Sequence, residues 1–152
     1  MSKPKFVYVV YIASTAEQIW KALTDGEITK TYWWHHANVS DWRVGSEWKH
    51  QDHGDPSVVD IVGKVVECTP PRRLVYTWAR PADEQDDSRH SRVSFDIEAQ
   101  ADGLVRLTVA HSDLERDPQM LEGVSGGWPR VLSNLKTLLE TGHALPRTAS
   151  AS

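Results

Sequence analysis

Apolar positions along the chain change period twice. Residues 5–12 read KFVYVVYI, a β-branched and aromatic run that predicts a first strand. A helix is expected directly after it: Ser14 and Glu17 stand in capping-box spacing, Ile19, Trp20 and Leu23 give an apolar face, and Asp25 and Gly26 mark its end. Residues 27–34 keep helical spacing at Ile28, Tyr32 and Trp33 and predict a second, short helix. Beyond them the period falls to two as far as Leu114. Six strands are expected there, at 38–42, 46–51, 58–68, 73–79, 91–99 and 104–112, separated by stretches rich in glycine, proline and aspartate, which makes an antiparallel meander. The most polar separator, 81–87, is expected to be a mobile hairpin loop.

The helical period returns near the end. Trp128, Val131, Leu132, Leu135, Leu138 and Leu139 recur at spacings of three and four, predicting a helix that begins between Ser125 and Trp128, carries Pro129 in its first turn and stops before Gly142. The glycines at 123, 126 and 127 read as a flexible lead-in to it. One strand, two helices, six strands and a long amphipathic helix amount to an α+β layout in which one sheet has one face to cover. Six or seven strongly twisted strands curl, and a curled sheet around one helix leaves room for a cavity. Pattern alone does not say whether side chains fill it.

Composition narrows the picture. At 152 residues the chain is one domain, expected over 1–143, with a disordered C-terminal tail over 144–152. A 39% hydrophobic and 25% charged chain is neither collagen-like, coiled-coil nor wholly disordered. With 17 basic against 21 acidic residues and a net charge of -4, it offers no footprint for a nucleic-acid backbone or an anionic membrane. No apolar run reaches the roughly 18 residues of a membrane span, and the N-terminal apolar stretch is too short for an export signal, so a cytoplasmic location is expected. Cys68 is the single cysteine, which excludes an internal disulfide and a CxxC pair. Asn38 opens an Asn-Val-Ser string that matches a glycosylation acceptor and reads as a surface turn.

Seven tryptophans are the outlier. By alternation Leu74, Tyr76 and Trp78 share one strand face, as do Trp48 and His50; Tyr32, Trp33 and Trp34 end the helix pair, and Trp128 opens the long helix above Val131 and Leu135. Large rings with one polar atom suit a pocket for apolar or planar ligands, and they suit core packing equally. His111, in parity with Leu107 and Val109, points inward, either as a satisfied core histidine or as a polar anchor. Glu67 can face either way, because a bulge beside it would reverse the parity.

Other motifs carry less. His35, His36, His50 and His53 fit no zinc spacing, and no metal or cofactor is assigned. Residues 123–127 spell GxSxG, but neither a preceding strand nor a reachable acid and histidine completes a nucleophile elbow. No phosphate-cradling glycine loop is present. Asp96 and Glu98 read as a solvated strand face, and Arg72 and Arg73 as a turn tied to the surface.

Longer stretches resemble a known family. GKVVECTPPRRLVYTW at 63–78 and GWPRVLSNLKTLLE at 127–140 resemble the homologues of the activator of heat-shock protein ninety ATPase, within the START-like, or polyketide cyclase and lipid-transport, superfamily. IASTAEQIWKALTD, WRVGSEW and LTVAHSDL agree in the correct order. The resemblance implies a helix-grip fold, a sheet wrapped around the C-terminal helix with a hydrophobic pocket between them and its mouth near Tyr32, Trp33 and Trp34. It implies binding of a small hydrophobic or aromatic molecule, in a stress or xenobiotic response, by Tyr32, Trp33, Trp34, Trp48, His50, Tyr76, Trp78, His111, Trp128, Val131 and Leu135. A cyclase- or hydrolase-type enzyme, for which His111 is the inward acid or base, and a co-chaperone-like interaction module are the alternatives. The family's chaperone activators carry a further N-terminal domain, which disfavours a chaperone partner here; monomer and edge-strand homodimer both stay open.

Overall fold

The computed structural model describes residues 5–145. β1 (Phe6–Ile12) leads into α1 (Ala16–Thr24) and α2 (Gly26–Tyr32). β2 (His36–Ser40), β3 (Glu47–Asp52), β4 (Val59–Thr69), β5 (Arg73–Trp78), β6 (Ser91–Ala99) and β7 (Val105–Ser112) follow, and α3 (Pro118–Thr141) closes the described chain. The seven strands form one antiparallel sheet in the order β1-β7-β6-β5-β4-β3-β2, so β2 to β7 make the expected meander and β1 returns to pair with β7. This is the α+β helix-grip fold. Of the tail predicted at 144–152, residues 146–152 lie outside the described residues.

Strict alternation decides which face is covered. Val105, Leu107, Val109 and His111 are buried on β7, and Ser91, Val93, Phe95 and Ile97 on β6, while the residues between them are not. α3 lies over that face with Val124, Trp128, Val131, Leu132 and Leu135 turned inward. A register shift between Val65 and Glu67 breaks the β4–β5 ladder, and another follows His50 on β3. Extra residues of this kind bend a strand, and these two curl the β2–β4 end of the sheet toward α3. Beyond the first shift Glu67 meets the Arg73 guanidinium, which also grips Asp96 at 2.6 Å; Glu98 is held by Arg106.

Several sequence expectations need correction. The α1 cap is Thr15, whose hydroxyl accepts from the Gln18 amide, so the capping position is one residue later than the Ser14 spacing suggested. α2 ends at Tyr32, and Trp34 and His35 both take left-handed φ values of 46° and 63°. That double reversal turns the chain into β2 two residues before the predicted start. Asn38 is therefore in a strand and 1% exposed, not in a surface turn. Two short 3-10 turns, Pro81–Asp83 and Asp87–Arg89, structure much of the predicted hairpin loop.

The largest difference is α3, which starts at Pro118. Asp117 caps it, its carboxylate accepting from the Met120 amide, and Pro118 sits at the first turn where its missing N–H costs nothing. Gly123, Gly126 and Gly127 are thus inside the helix rather than ahead of it, and Pro129 is interior. Glycine costs about 1 kcal/mol and proline about 3 kcal/mol relative to alanine in such positions, so local propensity hid a half-helix that tertiary contacts hold.

One glycine governs the sheet itself. The Trp48 indole crosses β4 above Gly63 to donate to the Thr77 carbonyl at 2.7 Å, and a Cβ on Gly63 would overlap both groups. Gly63→Ala is expected to lower stability by about 3 kcal/mol or more, because the backbone carbonyl cannot move aside. Urea unfolding checks this: a loss under about 1 kcal/mol would mean that the sheet tolerates a side chain there.

Candidate functional site

The sheet's curl and the glycine half of α3 leave a cleft of about 640 Å³, within the roughly 300–1,000 Å³ that ligand pockets occupy. Trp33, Trp34, His36, His50, Ile61 and Trp78 line it from the α2–β2 junction and the sheet. Met120, Gly123, Val124, Gly127, Trp128 and Val131 line it from α3. Asp52, Val58, Asp60, Arg80 and Gln119 complete the lining.

Of the residues that the sequence singled out, Trp33, Trp34, His50, Trp78, Trp128 and Val131 come together on this cleft. Tyr32, Trp48, Tyr76, His111 and Leu135 do not line it; each is at most 1% exposed and forms the layer behind. The two groups touch. Trp33 meets Trp128 edge-on at 5.3 Å, Trp128 meets Trp78 at 5.7 Å, and Trp78 leans on Trp48 at 5.6 Å, which in turn packs on Tyr76 at 4.2 Å. Tilted and edge-on ring pairs at such separations each add about 0.5–1.5 kcal/mol to simple burial, so the cleft has a stiff aromatic wall. Tyr32 serves the same wall from behind, donating its hydroxyl to the Ala22 carbonyl at 2.8 Å.

A directed chain of hydrogen bonds fixes His111. The Trp128 indole N–H can only donate, and it donates to His111 Nδ1 at 3.1 Å. Nδ1 is therefore unprotonated and Nε2 carries the hydrogen, which goes to the Ser91 hydroxyl at 2.7 Å; Ser91 in turn donates to the Trp78 carbonyl at 3.1 Å. Complete burial pushes the imidazole down to about 3, in keeping with this neutral tautomer.

His50, unlike His111, faces the cleft. His50, 7% exposed, donates from Nδ1 to the Asn38 side-chain oxygen at 2.6 Å and has no partner for Nε2 among the described residues. The only fully covered side-chain nitrogens without partners among those residues are Asn38 Nδ2 and Trp78 Nε1, so His50 Nε2 keeps access, and the space it reaches is the cleft. Burial and then the charge of His36 hold His50 down to about 3. His36 stacks on it at 4.4 Å with rings nearly parallel, and sits between the Trp34 carbonyl at 2.7 Å and the Asp60 carboxylate at 2.6 Å. Arg80, also in the lining, pairs with Asp117, the cap of α3, and this pairing holds the Asp117 carboxyl low.

The remaining motifs resolve simply. His35 and His53 form an edge-on pair at 4.8 Å, and no three His, Cys, Asp or Glu side chains converge as metal ligands among the described residues. Ser125 of the GxSxG string is helical and donates to the Leu121 carbonyl. No described helix is long and apolar enough to cross a membrane. Asp60, Arg80 and Met120 escaped the sequence reading, which weighed His36 only as a metal ligand and Gly123 and Gly127 only as a helix lead-in and part of the GxSxG string. Counting back from Val131 by three and four reaches Trp128, Gly127, Val124, Gly123 and Met120, the signal that would have found the helical ones.

Comparison with known proteins places the fold. The family of "Activator of Hsp90 ATPase homolog 1-like protein" matches residues 13–140. Among solved structures, the chain is similar to an Aha1 dimer from Colwellia psychrerythraea at 22% identity, with 91% of this chain and 98% of that one covered and a TM-score of 0.74. An HSP90 activator from Plasmodium falciparum aligns at 19% identity over 89% and 95% of the two chains with a TM-score of 0.72. CalU16 from Micromonospora echinospora aligns at 21% identity over 91% and 77% with a TM-score of 0.70. No curated protein matches the chain.

The two buried histidines set an acid limit. Each stands near 6.5 when unfolded and near 3 when folded, so the unfolded chain takes up protons first; stability is full above about pH 6.5 and declines toward pH 3. Between pH 7 and pH 5 the pair is expected to remove roughly 2–4 kcal/mol, a window above the range in which carboxylates titrate. Equal urea midpoints at pH 7 and pH 5 would contradict neutral burial of both rings.

Proposed function

Because the chain belongs to the Activator of Hsp90 ATPase homolog 1-like family, whose fold encloses space between sheet and C-terminal helix, we propose that it binds a small hydrophobic or aromatic molecule in the cleft described above. The observation that carries this reading is the cleft's wall: four of the seven tryptophans line it, and a second buried layer, including Trp48 and Tyr76, stiffens it from behind. Concentrating rigid rings around open volume supports a preformed apolar site, where little side-chain entropy is lost on binding.

The polar groups favour binding over acid–base catalysis. A general base works best with a pKa near the working pH, and His50, the histidine with an open nitrogen in the cleft, is held down to about 3. His111, the sequence candidate for an acid or base, has both nitrogens engaged behind the wall. A co-chaperone role draws support from the family's name and from the names of similar structures at low identity, and no feature of the cleft favours it. A stress or xenobiotic role stays a proposal that identification of the molecule would decide.

Native mass spectrometry of the protein purified from cells, followed by tryptophan-fluorescence titration with 2-naphthol, tests the reading. Saturable quenching is expected, and Met120→Trp, which fills the cleft from α3, is expected to weaken it about tenfold or more while leaving the melting temperature within about 3 °C. A protein that arrives empty and quenches with no neutral aromatic compound would overturn it.

A further inference from the structure

The glycines of α3 are placed where the fold gains nothing from them. A Cβ at Gly123 or Gly126 would meet no atom within 4 Å, and one at Gly127 would meet only the Trp34 ring edge, at an ordinary 3.6 Å. No close packing inside the protein requires them, yet each weakens the helix relative to alanine. Gly123 and Gly127 are one turn apart on the face that lines the cleft, whereas Gly126 does not line it. They bare a strip of helix backbone, and bare backbone admits the close approach of a flat object.

An independent group points at the same space. His50 Nε2 is an open lone pair on a ring more than nine-tenths buried, with its other nitrogen donating to Asn38. It asks for a donor. The charges of the lining do not ask for an anion: Arg80 is taken by Asp117, and Asp60 is met by His36, while Asp52 has no cation partner among the described residues.

We propose that the cleft takes a neutral, planar aromatic molecule that lies against the bare backbone of Gly123 and Gly127 and donates a hydrogen bond, from a phenol-like hydroxyl or an N–H, to His50 Nε2. This deepens the binding reading above and rests on it. The ring's other face meets the tryptophan wall, so the glycine strip sets the thickness of the slot and His50 sets the ligand's polar end.

Three matched probes and three alanine variants test it. 2-Naphthol is expected to bind the full chain about tenfold tighter than 2-methoxynaphthalene, which cannot donate, and about tenfold tighter than 2-naphthoate, which is charged. Gly123→Ala, Gly126→Ala and Gly127→Ala are each expected to raise the melting temperature by about 2–4 °C. The first and third are expected to weaken 2-naphthol about tenfold or more, and Gly126→Ala to leave it unchanged. His50→Phe is expected to erase the preference for 2-naphthol over 2-methoxynaphthalene. Wild-type affinity in Gly123→Ala and Gly127→Ala, a loss of stability in either, equal binding of the two neutral probes, or tighter binding of 2-naphthoate would each overturn this inference while the cleft reading stands. Failure of the wild-type chain to bind any probe would instead overturn both.

Discussion

Trp128 reaches His111 across the space between helix and sheet, and most of the molecule depends on that hydrogen bond. An indole N–H buried without a partner costs roughly 1–3 kcal/mol, a cost that Trp78 bears and that Trp128 avoids because an acceptor waits for it. His111 is that acceptor because Ser91 takes its other nitrogen and passes the direction on to the Trp78 carbonyl. One chain of donors thus ties α3 to β7, β6 and β5 and fixes both the rotation and the longitudinal setting of the helix. Leu132 and Leu135 then fall on the sheet beyond it, and Gly123 and Gly127 fall on the cleft on the near side.

This anchor divides α3 into two halves with different physics. The half after Trp128 buries Val131, Leu132 and Leu135, and Asn134, Lys136 and Glu140 tie its polar side to the Tyr32 carbonyl, the Tyr11 carbonyl and the Ala13 amide. The half before it has three glycines and abuts Pro129, and it is held at its ends, by the Asp117 cap with its Arg80 pair and by Val124 and Trp128 pressing inward. A continuous leucine stripe would have made a more stable helix and a filled core. The residues that weaken the helix are the ones that leave the volume.

The pattern of positions made the fold legible for a definite reason. Alternation at 105–111 and at 91–97 is strict because one sheet face is dry, so the strands and their inward residues, His111 included, could be read directly. The spacing from Trp128 to Leu139 showed the core half of α3 just as plainly. What did not show were features that depend on contacts distant in sequence. The cleft half of α3 is poor in local propensity and exists because the cap and the tryptophan anchor hold it. β2 begins at His36 because Trp34 and His35 adopt left-handed backbone, a conformation that glycine usually supplies and that a tryptophan does not signal. The same hidden turn is what brings His36 onto His50, so the polar end of the cleft was illegible for the same reason as the strand boundary.

Those two left-handed residues are themselves informative. Non-glycine residues in that region cost of order 1–3 kcal/mol each and persist only where their surroundings over-determine them. Here the surroundings are the Trp34 ring beside Gly127, the Trp34 carbonyl on His36, and the His35 ring edge-on to His53. A bulkier residue at 127 would press on Trp34, and a relaxed turn at 34 and 35 would withdraw His36 from Asp60 and from the His50 stack. The strained junction, the bare helix strip and the open histidine nitrogen are therefore one arrangement in which local stability is given up on both sides of the same gap.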